Sequence, residues 1–499
     1  MMCYIMEVLK KLTGTGDTCV PYFQLYQYCV SRGLVPDEAQ FTQDMTLLMA
    51  QGYICCEGGM VYPALVHKYE EVTAYHLSRL LTAPGLILDR RVSTSATVLS
   101  DRETLCNEQL EAIDMALTHR ISLILGSAGT GKTTLIRALI QESSLPADQI
   151  LLSAPTGKAA QRLAEKTGRP AVTIHSACRA GFNSDFTTTI ERGDIRLLIV
   201  DEAGMVSLEL LTGLLLAAGN NCRIVLLGDP DQLGSVTCGN VIADLRELGI
   251  PVLHLRQTHR QKDQRTALYH NVTGFASVND SSMFVYDESF QFVPAEEDAI
   301  FSKTMSIAKE HFRNGDDVLL LSPVNTAGEL SVDVLNVCLQ QQLHSQDEQR
   351  FHLDEESVLM DGDPVMFRQN NKVLNVYNGD LGVFRFVADD NGQTQPQVHL
   401  PDGRVIPVTL FNQHQLSLAY ALTVHKVQGS EAATVILPVS EQHLSMMNRS
   451  LLYTAVSRAR KKVILIGSQD VLDYILGRQP HARRSTLVPR VRALLKKAG

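Results

Sequence analysis

The sequence predicts an α/β protein with two parallel β-sheets, a small β insert in each sheet region and a mostly helical N-terminal region. Three observations predict this class. ISLIL, ILLSA, RLLIV and RIVLLG are near-continuous apolar runs of strand length separated by helical stretches, the pattern of parallel strands buried on both faces. A second set, VLLLS, TVILPV and KKVILIG, recurs later in the chain. The length, 499 residues, exceeds what one core organises, so two to four domains are expected.

Composition narrows the partners. The chain is 45% hydrophobic and 20% charged, as soluble globular proteins are. A formal net charge of −9 argues against coating nucleic acid by bulk charge, while leaving room for a locally basic groove. Ten scattered cysteines, with no C-x-x-C pair, suit reduced thiols in cytoplasm rather than disulfides, zinc or an iron–sulfur cluster. MMCYIMEVLKKL lacks the apolar run of a signal peptide, and LELLTGLLLAAG is too short to span a bilayer, so no membrane partner is expected. Residues 478 to 497 contain no acid; they read either as a solvated tail or as a contact to nucleic acid or a partner.

Taken in order, residues 1–88 read as helical. PDEAQFTQDMTLLMAQG predicts a helix from near Pro36 with Phe41, Met45, Leu48 and Met49 on one face, and GYICCEGGMVYPA a hairpin after it. Helix plus hairpin is a winged-helix pattern. The would-be recognition helix carries Asp37, Glu38 and Asp44 and no lysine or arginine, so it would repel phosphates; packing or contact to a protein partner is expected instead. The first sheet region is placed at 89–253, with a threonine-rich protruding hairpin at about 179–194. The second is placed at 254–499, with an insert at about 343–417 whose short strands are split by Asn-Gly, Asp-Gly and Pro-Asp-Gly turns.

The motifs carry the chemistry. GSAGTGKT, residues 126–133, stands between a strand and a helix, the context a phosphate-cradling loop requires. Gly126, Gly129 and Gly131 let the backbone N–H groups turn toward phosphate oxygens; Ser127, Ala128, Thr130 and Thr134 complete the lining. Lys132 supplies a point charge and the Thr133 hydroxyl a ligand for Mg²⁺. RLLIVDEAGMV ends a strand in Asp201, expected to hold Mg²⁺ through water, and Glu202, expected to deprotonate the attacking water. RIVLLGDPDQLGSV places Asp229 and Gln232 at the end of another strand, Gln232 being a candidate γ-phosphate sensor. No N-K-x-D guanine reader is present, which favours ATP. In LLYTAVSRARKKVILIG, Tyr453, Thr454, Ser457, Arg458 and Arg460 fall at helical spacing before a buried strand at 461–467. Such arginines are either solvated on a surface helix or placed to meet the charge that spreads over a γ-phosphoryl group; Arg458 and Arg260 are the two candidates.

From about residue 105 to residue 472 the order and spacing of these motifs resemble superfamily 1 helicases, and within them the RecD-like 5′→3′ branch. The resemblance implies two RecA-like motor domains, a pin hairpin in the first and an SH3-like insert in the second. LCNEQLEAI is similar to the adenine-reading motif and points to Gln109. SAPTGKAAQRLAEKTG and TIHSACR are similar to single-strand contact segments, which implies Pro155, Thr156, Lys158, Thr173 and His175 on the DNA side. GDPDQL resembles the coupling motif, and THRQ the segment with the first γ-phosphate arginine, Arg260. His259 stands where the family often has Tyr or Phe. AYALTVHKVQGSE implies Thr423, His425 and Lys426 near DNA, and Gln428 and Glu431 nearer the nucleotide. YTAVSRAR selects Arg458 over Arg460. Phe182 or Phe186 would be the wedge of the pin.

The function so implied is an ATP- and Mg²⁺-dependent 5′→3′ DNA helicase or translocase, acting from a cleft between two sheets on single strands and single–double-strand junctions in the cytoplasm. Other readings compatible with the sequence are a translocase subunit of a larger DNA-processing or defence complex that unwinds weakly alone, a motor on RNA, and an ATP-dependent switch module that moves along nothing.

Overall fold

The computed structural model describes residues 2–83, 105–178, 195–218, 221–257, 266–345, 348–355, 357–371, 373–388 and 393–498. The expected 179–194 hairpin, with Phe182 and Phe186, and the THRQ segment, with His259 and Arg260, lie outside these residues. The chain forms two compact units. The first comprises Met1–Pro230, Gly234–Arg260 and His481–Gly499, and the second Asp231–Leu233 and Gln261–Pro480.

In the first unit, helices Met2–Thr13, Tyr22–Ser31 and Glu38–Ala50 pack with a three-stranded antiparallel sheet made of Val20–Pro21, Met60–Pro63 and Ile54–Glu57. Asp37 caps the third helix by accepting the Gln40 N–H at 2.8 Å. Phe41, Met45 and Leu48, at i, i+4 and i+7, are buried as expected, but Met49 is 40% exposed: one residue further on, it has rotated off the apolar stripe.

Helix Ala64–Thr82 then leads to a six-stranded, all-parallel sheet. Its order is Ala171–Thr173, Ile150–Ala154, Leu197–Val200, Arg223–Gly228, Ile121–Gly126 and Val252–Leu255. Side chains alternate across it. Ile121, Leu123 and Leu125 join a core with Leu77, Leu211 and Leu214 from helices Ala64–Thr82 and Leu208–Ala217. Ile124 faces the opposite core with Ile113, Leu135 and Leu139 from helices Asn107–Thr118 and Lys132–Glu142. Both faces being covered is why these strands read as unbroken apolar runs.

The second unit holds a five-stranded parallel sheet in the order Phe290–Pro294, Ala459–Gly467, Ala432–Val439, Val318–Ser322, Ala421–Thr423. Between helix Val332–Leu343 and strand Ala421–Thr423 comes a separate antiparallel sheet of five strands, in the order Val405–Pro407, Thr394–His399, Leu381–Ala388, Pro364–Phe367, Leu416–Leu418. It has its own core of Val365, Phe367, Phe384 and Val398.

Two expectations change. The second region does not run unbroken to residue 499. Helix Leu487–Ala498 returns to the first unit, where Leu487 and Val491 are fully buried in the core that holds Leu77. Part of the acid-free tail is therefore packed, with Arg490 of this helix paired to Glu70 at 3.0 Å. Arg460 is not on a helix with Arg458: helix Arg449–Val456 ends first, and Arg460 already belongs to strand Ala459–Gly467. Among the described residues no helix is long and apolar enough to cross a membrane.

Candidate active site

Strand Ile121–Gly126 and helix Lys132–Glu142 bracket a tight loop in the first unit. A Cβ on Gly126 would lie 2.4 Å from Thr130 Oγ1, so the turn admits only glycine there. Gly129 and Gly131 have φ of 88° and 78°, the left-handed region. Thr130 is buried and donates to the Ser127 carbonyl at 3.0 Å. Lys132 reaches back over the loop, its Nζ donating to the carbonyls of Gly126 (2.6 Å) and Ser127 (3.0 Å). The ammonium thus sits inside the concavity. Thr133 and Thr134 stand in the first helical turn, whose N–H groups have no partner within the helix.

The acidic pair stands at the same edge of the sheet, at the end of Leu197–Val200. Asp201 Oδ1 accepts the Glu202 N–H at 2.9 Å. Glu202 adopts φ 56°, a left-handed conformation that costs a non-glycine residue about 1–3 kcal/mol. Burial, and then the neighbouring Glu202 charge, lift the Asp201 carboxyl to about 6, while Lys132 and Lys166 pull it down. The desolvated Asp201 carboxylate and the Thr133 hydroxyl are both hard-oxygen donors, the chemistry that Mg²⁺ takes. Strand Arg223–Gly228 separates the loop strand from the acidic strand and delivers Asp229, 2% exposed, to this edge.

Gln109 is 3% exposed, and its Oε1 accepts the Cys106 N–H at 3.1 Å as the first turn of its helix closes. The adjoining Glu108 belongs to no pattern in the sequence. Its Oε2 accepts the N–H groups of Arg256 (2.7 Å) and Gln257 (3.2 Å), fastening the end of strand Val252–Leu255 to this helix. Nothing local in the sequence marks that long-range cap.

The expected DNA-side residues of this unit gather on the two outer strands. Thr156 caps helix Gly157–Thr167 through the Ala159 N–H (3.2 Å), and Thr173 caps the following helix through the Ser176 N–H (3.1 Å). Ala154 and Thr173 are register partners, so both helix N-termini open at one sheet edge. Pro155 is buried, Lys158 half-buried in the first turn, and His175 exposed.

In the second unit Asp231–Leu233, which carries Gln232, is clipped at Leu233. Its N–H donates to Thr454 Oγ1 at 2.8 Å, and its carbonyl accepts from Gln428 Nε2 at 3.4 Å. Arg458 is 3% exposed and is held by neutral oxygens: Nε to the Thr454 carbonyl (3.0 Å), Nη2 to Ser457 Oγ (3.0 Å) and Nη1 to the Ser430 carbonyl (3.5 Å). Arg460 instead pairs with Asp317 on the surface. Glu431 lies beside Ser430, half-buried. Thr423, buried, closes a turn by accepting the Lys426 N–H at 3.0 Å, which presents His425 and Lys426 outward. Desolvation and the nearby Arg368 charge hold the Lys426 ammonium below its ordinary value.

Residues 104–277 match the family described as AAA domain, and residues 418–466 the UvrD-like helicase C-terminal domain. The RecBCD enzyme subunit RecD of Mycolicibacterium smegmatis is 31% identical over 423 residues, covering 74% of this chain and 73% of that protein. The chain belongs to the RecD family of superfamily 1 helicases. The ATP-dependent RecD2 DNA helicase of Deinococcus radiodurans is also 31% identical, over 451 residues and 90% of this RecD-like chain. The chain spans 61% of that relative's length. Among solved structures, the Pif1 helicase from Candida albicans is similar at 20% identity, with a TM-score of 0.49 over 79% of this chain and 99% of that one.

Proposed function

We propose that this chain is an ATP-dependent DNA helicase that moves 5′→3′ along single-stranded DNA. Membership of the RecD family supports the reading. The observation that carries it is the clip at Thr454: one residue holds both the peptide of the coupling motif and the buried Arg458, which has no carboxylate partner among the described residues.

In this reading the N–H groups of residues 126–134 and Lys132 hold the phosphates of ATP, with Gln109 and Glu431 on the rest of the nucleotide. Thr133 and Asp201 would hold Mg²⁺, which when bound neutralises charge developing on the phosphates. Glu202, fixed in its left-handed turn, orients and deprotonates water. Gln232 senses the γ-phosphate, and Arg260 and Arg458 stabilise the charge that spreads over its oxygens. The capped N-termini at Thr156 and Thr173, with Pro155, Lys158, His175, Thr423, His425 and Lys426, bind the DNA backbone, giving little sequence preference and a steep salt dependence. The antiparallel insert is SH3-like, Phe182 is the wedge, and the N-terminal region meets a protein partner in the cytoplasm. The switch-module reading is not favoured, since a switch needs no second parallel sheet.

The test is strand displacement on duplexes with a 5′ or a 3′ single-stranded tail, with and without ATP. Displacement from the 5′-tailed substrate only, with ATP only, is expected. ATP hydrolysis indifferent to single-stranded DNA would overturn the motor.

A further inference from the structure

Residues 234–239, which follow directly on the clipped Asp231–Leu233, are gripped by the C-terminal segment. Arg483 Nη1 donates to Ser235 Oγ (2.8 Å), the Gly239 carbonyl (3.0 Å) and the Thr237 carbonyl (3.3 Å), and Nη2 donates to the Ser235 carbonyl. One guanidinium therefore collects three residues of one loop. The fold makes room for it. Gly16 has φ 101°, and a Cβ there would lie 2.3 Å from Arg483 Nε. The Gly16 carbonyl in turn accepts the Gly239 N–H at 2.8 Å. Next along the tail, the Arg484 N–H donates to Asp17 Oδ1 at 2.7 Å, and its carbonyl accepts the Thr18 N–H at 2.9 Å.

We propose that Arg483 is a positioning residue for coupling: by anchoring residues 235–239 to the N-terminal region and the tail, it gives the coupling peptide at Leu233 a fixed point to pull against. The proposal rests on the helicase reading and extends it to a residue outside every helicase motif. The physical reason is stiffness. Leu233 belongs to the second unit and residue 239 to the first. A loop free between them would absorb a displacement by changing its own dihedrals. Charge-assisted hydrogen bonds to several carbonyls are about twice as strong as neutral ones, and they remove that freedom. Lysine cannot reproduce the fork, because its ammonium is a point charge on a flexible stem.

The test uses the full chain, first as wild type in the tailed-duplex and DNA-stimulated ATPase assays, then as Arg483→Ala, Arg483→Lys and Ser235→Ala. Arg483→Ala is expected to keep DNA-stimulated ATPase within about twofold while base pairs separated per ATP fall about tenfold. Hydrogen exchange at the Gly239 amide should rise in the same variant. Ser235→Ala should move the ratio in the same direction and less far, and Arg483→Lys should rescue only part. An unchanged ratio in Arg483→Ala overturns the proposal, as does a parallel fall of ATPase and unwinding, which a merely structural arginine would give. If Arg483→Ala does not fold, Ser235→Ala decides by the same ratio. A wild type without DNA-stimulated ATPase would sink the helicase reading instead; unaltered exchange at Gly239 in Ser235→Ala would then overturn the anchoring itself.

Discussion

Thr454 joins two motifs with one residue: its Oγ1 accepts the Leu233 N–H at 2.8 Å, and its carbonyl accepts from Arg458 Nε at 3.0 Å. The residue is fully buried, while Leu233 is half-buried. Thr454→Val keeps the shape and deletes the hydroxyl. It should destabilise the protein by about 1 kcal/mol, the net worth of one hydrogen bond at a half-buried N–H, and lower ATP turnover while nucleotide binding persists. Thr454→Ser should restore both. Chemical denaturation and steady-state ATPase read the two effects separately.

Lys132 and Glu202 stand at one sheet edge, and the proposed function gives them different duties. Lys132→Ala should abolish turnover and weaken nucleotide binding, because the loop loses its central charge. Glu202→Gln should abolish turnover, with a loss of about 100-fold or more, yet retain binding, since an amide cannot accept the water's proton. Nucleotide titration beside an ATPase assay separates them.

The two arginines should behave oppositely. Arg458→Ala is expected to lower ATP turnover by about a thousandfold, the scale of an arginine that stabilises phosphoryl-transfer charge. Arg460, 54% exposed and paired with the 52% exposed Asp317, should cost less than about 1 kcal/mol of stability and leave ATPase unchanged when made alanine. Near-normal ATPase in Arg458→Ala would remove it from that role.

Asp244, 7% exposed, has its carboxyl pushed up to about 7, by burial first and then by the charges of Glu70 and Glu247, with the Ser485 hydroxyl opposing. A raised carboxyl carries no penalty below its ordinary value of 3.8, where both states are protonated. The penalty grows as pH rises toward about 7 and is complete above it. Asp244→Asn should therefore stabilise the protein at pH 8, on the order of 2 kcal/mol, with the gain fading as pH falls toward 4. Thermal melts across that range check it.

Much of this architecture was legible in the sequence because its causes are local. Strands such as Ile121–Gly126 are apolar at every position since both faces are covered, and the glycines at 129 and 131 announce a loop that only positive φ closes. The helix Glu38–Ala50 is legible for the same reason, through its i, i+4, i+7 stripe; Met49 falls off it because a stripe has an edge.

The amino-acid order by itself determined the two parallel sheets, the glycine loop at 126–133 and the acidic pair, all of which follow from periodicity and from steric rules within a few residues. The tertiary structure alone decided that helix Leu487–Ala498 belongs with the first unit, that Glu108 ties down the end of a strand, and that Arg458 rather than Arg460 is withdrawn from solvent. It also decided the clip between Leu233 and Thr454, 221 positions apart, and the grip of Arg483 on Ser235, 248 apart. Hydrogen bonds of that span join single polar atoms, need no periodicity and leave no pattern along the chain; they exist only once the cores have closed and brought their partners together.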